Sequence, residues 1–119
     1  MNELSNKKYD LEERTAMFAE RLLLFVNGVQ ETTKNKPILN QLIRAGTSIG
    51  ANYMEATGGE SKNDFRHKIG ICKKESRETR YWLQMFAVSC PQKRDEIKPL
   101  SQEAYEFVLI FSKIVRSCS

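Results

Sequence analysis

Five cationic side chains at helical spacing are the residues of this 119-residue chain best placed for chemistry. Wound at about 100° per residue, Lys62, Arg66, Lys73, Arg77 and Arg80 fall within about 60° of one another. They form one line along about 27 Å of helix. Such a row can neutralise consecutive phosphates of a nucleic-acid backbone, a mode that depends on charge and shape and weakens with salt. Asp64, Glu75 and Glu78 lie on the other flank of the same helix. Separating the signs in this way is uneconomical if solubility is the only end. Tyr81 lies a little aside from the ridge, where stacking on a base is open to it but not required. The competing account pairs the ridge with Glu12, Glu13, Glu20, Glu103 and Glu106, within or between subunits. No base-reading motif accompanies the ridge, and a formal net charge of +4 permits nucleic-acid contact without requiring it.

Other chemistries find little to stand on. His67 is the lone histidine and has no cysteine or second histidine at ligand spacing. Cys72, Cys90 and Cys118 make an odd count with no paired spacing, and their positions on core stripes make them small hydrophobes. Glu55, Glu75 and Glu78 lie on long helices, yet the Glu-x-x-His motif of bundle carboxylate–metal sites does not occur. Gly58-Gly59 lacks the strand and the Lys-Ser/Thr of a phosphate-binding loop and reads as the stop of a helix. The expectation is a non-enzymatic protein with no catalytic residue, no metal and no cofactor.

The elements that carry the ridge follow from punctuation and period. Gly28, the stretch Lys34-Asn35-Lys36-Pro37, Gly58-Gly59 and the segment from Cys90-Pro91 to Pro99 separate four segments of helical period. No alternating strand pattern of useful length lies between them. The predicted helices run over about 10–29, 37–57, 62–90 and 101–117. The first has Leu11, Phe18, Leu22, Phe25 and Val29 on one face. Pro37 suits the first turn of the second. Ser61 with Asp64 opens the third in the manner of a capping box, and Ser101 with Glu103 opens the fourth likewise. The third carries a stripe of Phe65, Ile69, Cys72, Ser76, Thr79, Leu83, Phe86 and Cys90. The fourth repeats it with Ala104, Phe107, Phe111, Ile114 and Cys118. Ser76 and Thr79 are expected to bond to backbone carbonyls, and a buried polar network with Glu75 or Arg44 is open to them. A period near 3.5 residues suits packing at roughly +20°. The fold class is all-α: a single-domain, antiparallel up-and-down four-helix bundle. The polar first ten residues and the lack of a long apolar run point to a cytoplasmic protein without a membrane span.

The second helix is unusually bland. From Ile38 to Thr57 its charges are Arg44 and Glu55. Ile38, Leu39, Leu42, Gly46, Ile49, Gly50, Tyr53 and Ala56 share the bundle-facing arc, leaving Arg44, Ser48, Ala51 and Glu55 outside. Gly46 and Gly50 each cost about 1 kcal/mol relative to Ala, which close approach of another backbone would offset. That backbone belongs either to the same chain or to another copy. The third helix also shows Ile71, Tyr81, Trp82 and Met85 beyond its core stripe, more apolar surface than a monomer usually leaves exposed. A homo-oligomeric interface accounts for both faces, with closed cyclic symmetry the default.

The run from Arg44 to Met85 resembles the four-helix-bundle family named for proteins encoded in intervening sequences of bacterial 23S rRNA genes. The resemblance is carried by Arg44, Ser48-Ile49-Gly50-Ala51-Asn52 and Glu55-Ala56. It continues with Ser61, Asp64-Phe65, Lys68, Lys74-Glu75, Glu78-Thr79 and Tyr81-Trp82-Leu83. Gly58-Gly59 departs from it, standing where relatives carry a more Ala-rich turn. The resemblance implies a bundle assembling into a homopentamer, without established enzyme activity. A distantly similar group, the accessory variability proteins of diversity-generating retroelements, implies RNA or DNA as a partner by analogy. The two functional expectations are a module binding structured RNA and a protein-interaction scaffold with no nucleic-acid ligand.

Overall fold

The apolar stripes of the sequence wind into four α-helices in the computed structural model, which describes residues 11–118. They are α1 (Leu11–Asn27), α2 (Lys36–Thr57), α3 (Lys62–Ser89) and α4 (Arg94–Ser117), with a single 3-10 turn, Pro91–Lys93, between the last two. No strand occurs among the described residues. The expected start of the first helix at Asp10 lies outside them.

Each connection has a local cause. The turn between α1 and α2 is tied by the buried Asn35. Its Oδ1 accepts from the Thr32 N–H at 2.7 Å, and its Nδ2 donates to the Gln30 carbonyl at 3.0 Å. Pro37 follows within the first turn of α2, where a missing N–H leaves no bond unmade. Ser61 stands in extended backbone and its Oγ accepts from the Asp64 N–H at 3.0 Å, capping α3 as its spacing predicts.

The helices contact one another in the cyclic order α1, α2, α3, α4, and among the described residues diagonal pairs bring no Cα atoms within 8 Å, meeting only through core side chains. Gly46 meets Leu22 and Gly50 meets Thr15, so α2 runs antiparallel to α1. Arg44 pairs with Glu75 while Glu55 pairs with Lys68, so α3 runs antiparallel to α2. Arg80 lies over Tyr105, and Gly70 and Ile71 lie beside Val115, which reverses the direction again for α4. The longest dimension, 44 Å, is that of α3, whose 28 residues span about 42 Å.

Phe18, Leu22, Leu42, Ile49, Ile69, Cys72, Leu83, Phe86, Phe107 and Phe111 are fully buried. Phe18 meets Phe107 edge-on at 5.6 Å and Phe25 meets Phe86 at 5.8 Å, geometries aromatic quadrupoles favour. The buried Ser76 and Thr79 hydroxyls donate to the Cys72 and Glu75 carbonyls at 2.8 and 2.7 Å. The glycine notches on α2 therefore admit α1 of the same chain. A Cβ on Gly46 would lie 2.1 Å from Leu22 Cδ2, and one on Gly50 would lie 3.0 Å from Thr15 Oγ1.

The fourth helix opens at Arg94, about two turns before Ser101, so Ser101 is an interior residue and not a cap. Pro99 does lie inside the helix, where its ring costs one backbone bond to the Asp95 carbonyl. Two gains offset that loss. Ile97 and Leu100 are buried by the added turns, and Asp95 and Glu96 place negative charge at the positive end of the helix dipole. The stripe assignment fails at Cys118, which is exposed just beyond the last helical residue instead of buried in the core.

Candidate nucleic-acid interface

Along α3 the ridge is displayed as its spacing predicts. Lys62, Arg66, Arg77 and Arg80 are exposed and Lys73 is half-buried. None of the five makes an ion pair with another described residue. Two of the five acids of the competing account, Glu103 and Glu106, are engaged elsewhere. Arg14 of α1 holds Glu103 and Glu106 at 2.7 Å each, its guanidinium also lying 5.2 Å from the Phe107 ring centroid. Those carboxylates raise the Arg14 pKa, first through the hydrogen bond with Glu103 and against the opposing effect of burial. Glu75 and Glu78 turn toward α2 and hold Arg44. Segregation of sign along α3 thus has a structural cause on its acidic flank, and the basic flank is left to solvent.

The ridge is one half of a wider basic face. Across the groove α4 contributes Arg94 and Lys98, which line a recess together with Arg77, Arg80 and Tyr81. Tyr105 lies 4.7 Å below the Arg80 guanidinium. Leu109, Lys113 and Arg116 continue the Tyr105 stripe at helical spacing, adding two cations to the α4 side. At the opposite end Lys62 lies with Phe65 beside Ser117 and Cys118. Sequence reasoning missed Arg94 and Lys98 because it placed the segment before Ser101 in a loop. The signal that would have found them is the run Ile97-x-x-Leu100-x-x-x-Ala104, whose spacing is helical through the proline.

The residues expected at an oligomer interface fall into two groups. Arg44, Ser48, Ala51 and Glu55 lie along the outer side of α2. The Arg44 side chain is 45% exposed and bound to Glu75 and Glu78, Ser48 donates to the Arg44 carbonyl, and Glu55 accepts from Lys68 at 2.8 Å. Trp82 joins this group through its indole N–H, which donates to Glu78 at 3.3 Å. Ile71 and Tyr81 instead border the recesses beside α4, and Met85 is half-buried on α3. Exposed apolar side chains also occur where none was singled out, at Met17, Leu24, Met54, Val88 and Leu109.

Among the described residues, no packing contact requires glycine at position 70. A Cβ there meets nothing within 4 Å, in contrast to Gly46 and Gly50. Gly70→Ala is expected to stabilise the bundle by about 0.5–1 kcal/mol, read as an upward shift of the urea midpoint with unchanged slope.

The remaining reactive groups are engaged or isolated. Cys72 is buried, its thiol donates to the Ile49 carbonyl at 3.5 Å, and burial pushes its pKa up to about 12. No group of three or more His, Cys, Asp or Glu side chains converges among the described residues, and His67 is exposed. No helix of the described residues is long and apolar enough to cross a membrane.

Comparison with known proteins agrees with this architecture. No curated protein matches the sequence. A solved structure from Bacteroides thetaiotaomicron, of a protein of unknown function from the S23 ribosomal protein family, superposes with a TM-score of 0.76. It is 30% identical, and the match covers 87% of this chain and 96% of that one. The profile for the 23S rRNA-intervening sequence protein matches residues 7–113, nearly the whole length over which the four helices form. With the helical order, the α2–α3 motifs and that coverage in agreement, the chain belongs to the 23S rRNA-intervening sequence protein family.

Proposed function

We propose that this protein is a non-catalytic, cytoplasmic homo-oligomer, built as a cyclic pentamer of bundles, that binds structured RNA through the basic face of α3 and α4. The observation that carries the reading is the ridge Lys62, Arg66, Lys73, Arg77 and Arg80, displayed without acidic partners among the described residues and extended by Arg94 and Lys98. Unpaired surface cations in line attract a polyanion by counterion release, and a ring of copies would multiply the contact. The family likeness supports the pentamer, and the sparsely charged outer side of α2, whose Arg44 and Glu55 are already paired within the chain, gives it a surface to use.

Filter binding of a structured RNA across a salt series tests this. If one ridge neutralises five phosphates, the slope of log K against log salt is about −4.5. Affinity no tighter than that of a neutral control protein, or no fall with salt, would sink it. The alternative reading, a scaffold for another protein without nucleic acid, is favoured by the exposed Met17, Leu24, Met54 and Val88. Under it the RNA slope is flat and a protein partner co-purifies.

A further inference from the structure

We infer that the Arg80 end of the basic face takes an unpaired stretch of the bound RNA, so that the preferred substrate is a stem carrying a single-stranded segment. The inference rests on the RNA-binding reading above and narrows its substrate. Arg77, Arg80, Arg94 and Lys98 line one recess between α3 and α4. A second recess shares Arg80 and Lys98 with it and has Tyr105 in its wall. No carboxylate lines either recess.

Among the ridge residues described, Arg80 alone is held over an aromatic ring, 4.7 Å from the Tyr105 centroid. Tyr105 remains 39% exposed and Tyr81, which meets Trp82 edge-on at 4.9 Å, is 51% exposed. One wet aromatic ring therefore lies against the guanidinium and a second lines the recess beside it, which is the composition that stacks bases. A rigid duplex cannot use it. Its base faces are covered by their neighbours, and its phosphates lie on a convex rim that reaches the projecting cations but not the recess. A single strand bends into the recess, lays its phosphates against Arg77, Arg94 and Lys98, and offers a base to the Arg80–Tyr105 pair.

The test compares two RNA hairpins of identical stem, one blunt and one with an unpaired purine tail, by fluorescence anisotropy with the full chain. The tailed hairpin is expected to bind about tenfold tighter, which one stacked base supplies. A 2-aminopurine placed in the tail is expected to lose fluorescence on binding. Tyr105→Phe keeps the preference for the tail, whereas Tyr105→Leu, with helicity confirmed by circular dichroism, loses it. Equal affinity for both hairpins, with both weakening as salt rises, overturns this inference and leaves RNA binding standing. No binding of either hairpin overturns both.

Discussion

With Lys73, Arg77 and Arg80 all replaced by glutamate, affinity for structured RNA falls by about a hundredfold at physiological salt while the bundle stays folded. Each phosphate contact contributes close to one to the salt slope, so three lost contacts flatten it by about three. Reversal adds repulsion to that loss. Stability is spared because none of the three makes an ion pair with a described residue, so no buried carboxylate is left without a cation. The packing lost is the Arg80 contact with Tyr105, an exposed pair worth about 0.5–1 kcal/mol. Anisotropy gives the affinity, and size-exclusion chromatography of the same sample gives the assembly. If the ridge served instead to pair subunits, the oligomer would come apart and RNA affinity would not be the quantity that changed. Replacement by glutamine instead of glutamate separates lost attraction from added repulsion, and should show roughly half the effect on a logarithmic scale.

Those three residues were legible because a helix converts spacing into direction. Residues 62 to 89 form one uninterrupted helix, so a wheel drawn on the sequence is the wheel in the molecule. Arg94 and Lys98 were hidden by Pro99, since a proline reads as a boundary unless the burial of Ile97 and Leu100 around it is known. Gly46 and Gly50 announced a close neighbour but not its identity. Leu22 and Thr15 fill the notch, and no local rule links positions 46 and 22. Glu75 shows the same limit more sharply. On the sequence it is one acid among several on a flank, and its burial depends on a guanidinium brought from α2. Arg44, at an outward position by wheel geometry, is reached by carboxylates that only the packing of α2 on α3 brings near.

Arg44→Met is accordingly expected to destabilise the bundle by about 2–3 kcal/mol near neutral pH. The Glu75 side chain is 10% exposed and receives the Arg44 guanidinium at 3.2 and 3.4 Å, with Glu78 bound to the same group. Removing the cation leaves a nearly buried carboxylate facing a second one. The usual cost of orphaning a buried charge, about 3–5 kcal/mol, is reduced here because the Arg44 side chain is 45% exposed and water can reach the site.

The pH dependence supplies the sign. Burial works to raise the Glu78 pKa, but hydrogen bonds from Arg44 and Trp82 and the charges of Arg44 and Lys74 prevail, and the net direction is downward. A carboxylate depressed on folding stabilises fully above its unfolded pKa, and that contribution is lost as pH falls through the folded value. The gap between wild type and Arg44→Met should therefore narrow in acid, where the Glu78 carboxyl is neutral and no longer needs the guanidinium. Urea unfolding at neutral and acid pH measures it, and a gap that does not change with pH would refute the electrostatic account. Adding Glu75→Gln to Arg44→Met should restore part of the loss at neutral pH, because an amide is far less costly than an unpaired carboxylate in the same space. Arg44 lies on the opposite flank of α3 from the ridge. Its loss should therefore leave RNA affinity unchanged wherever the variant is folded, which would separate the acidic flank of this helix, which holds Arg44, from the basic flank proposed to meet RNA.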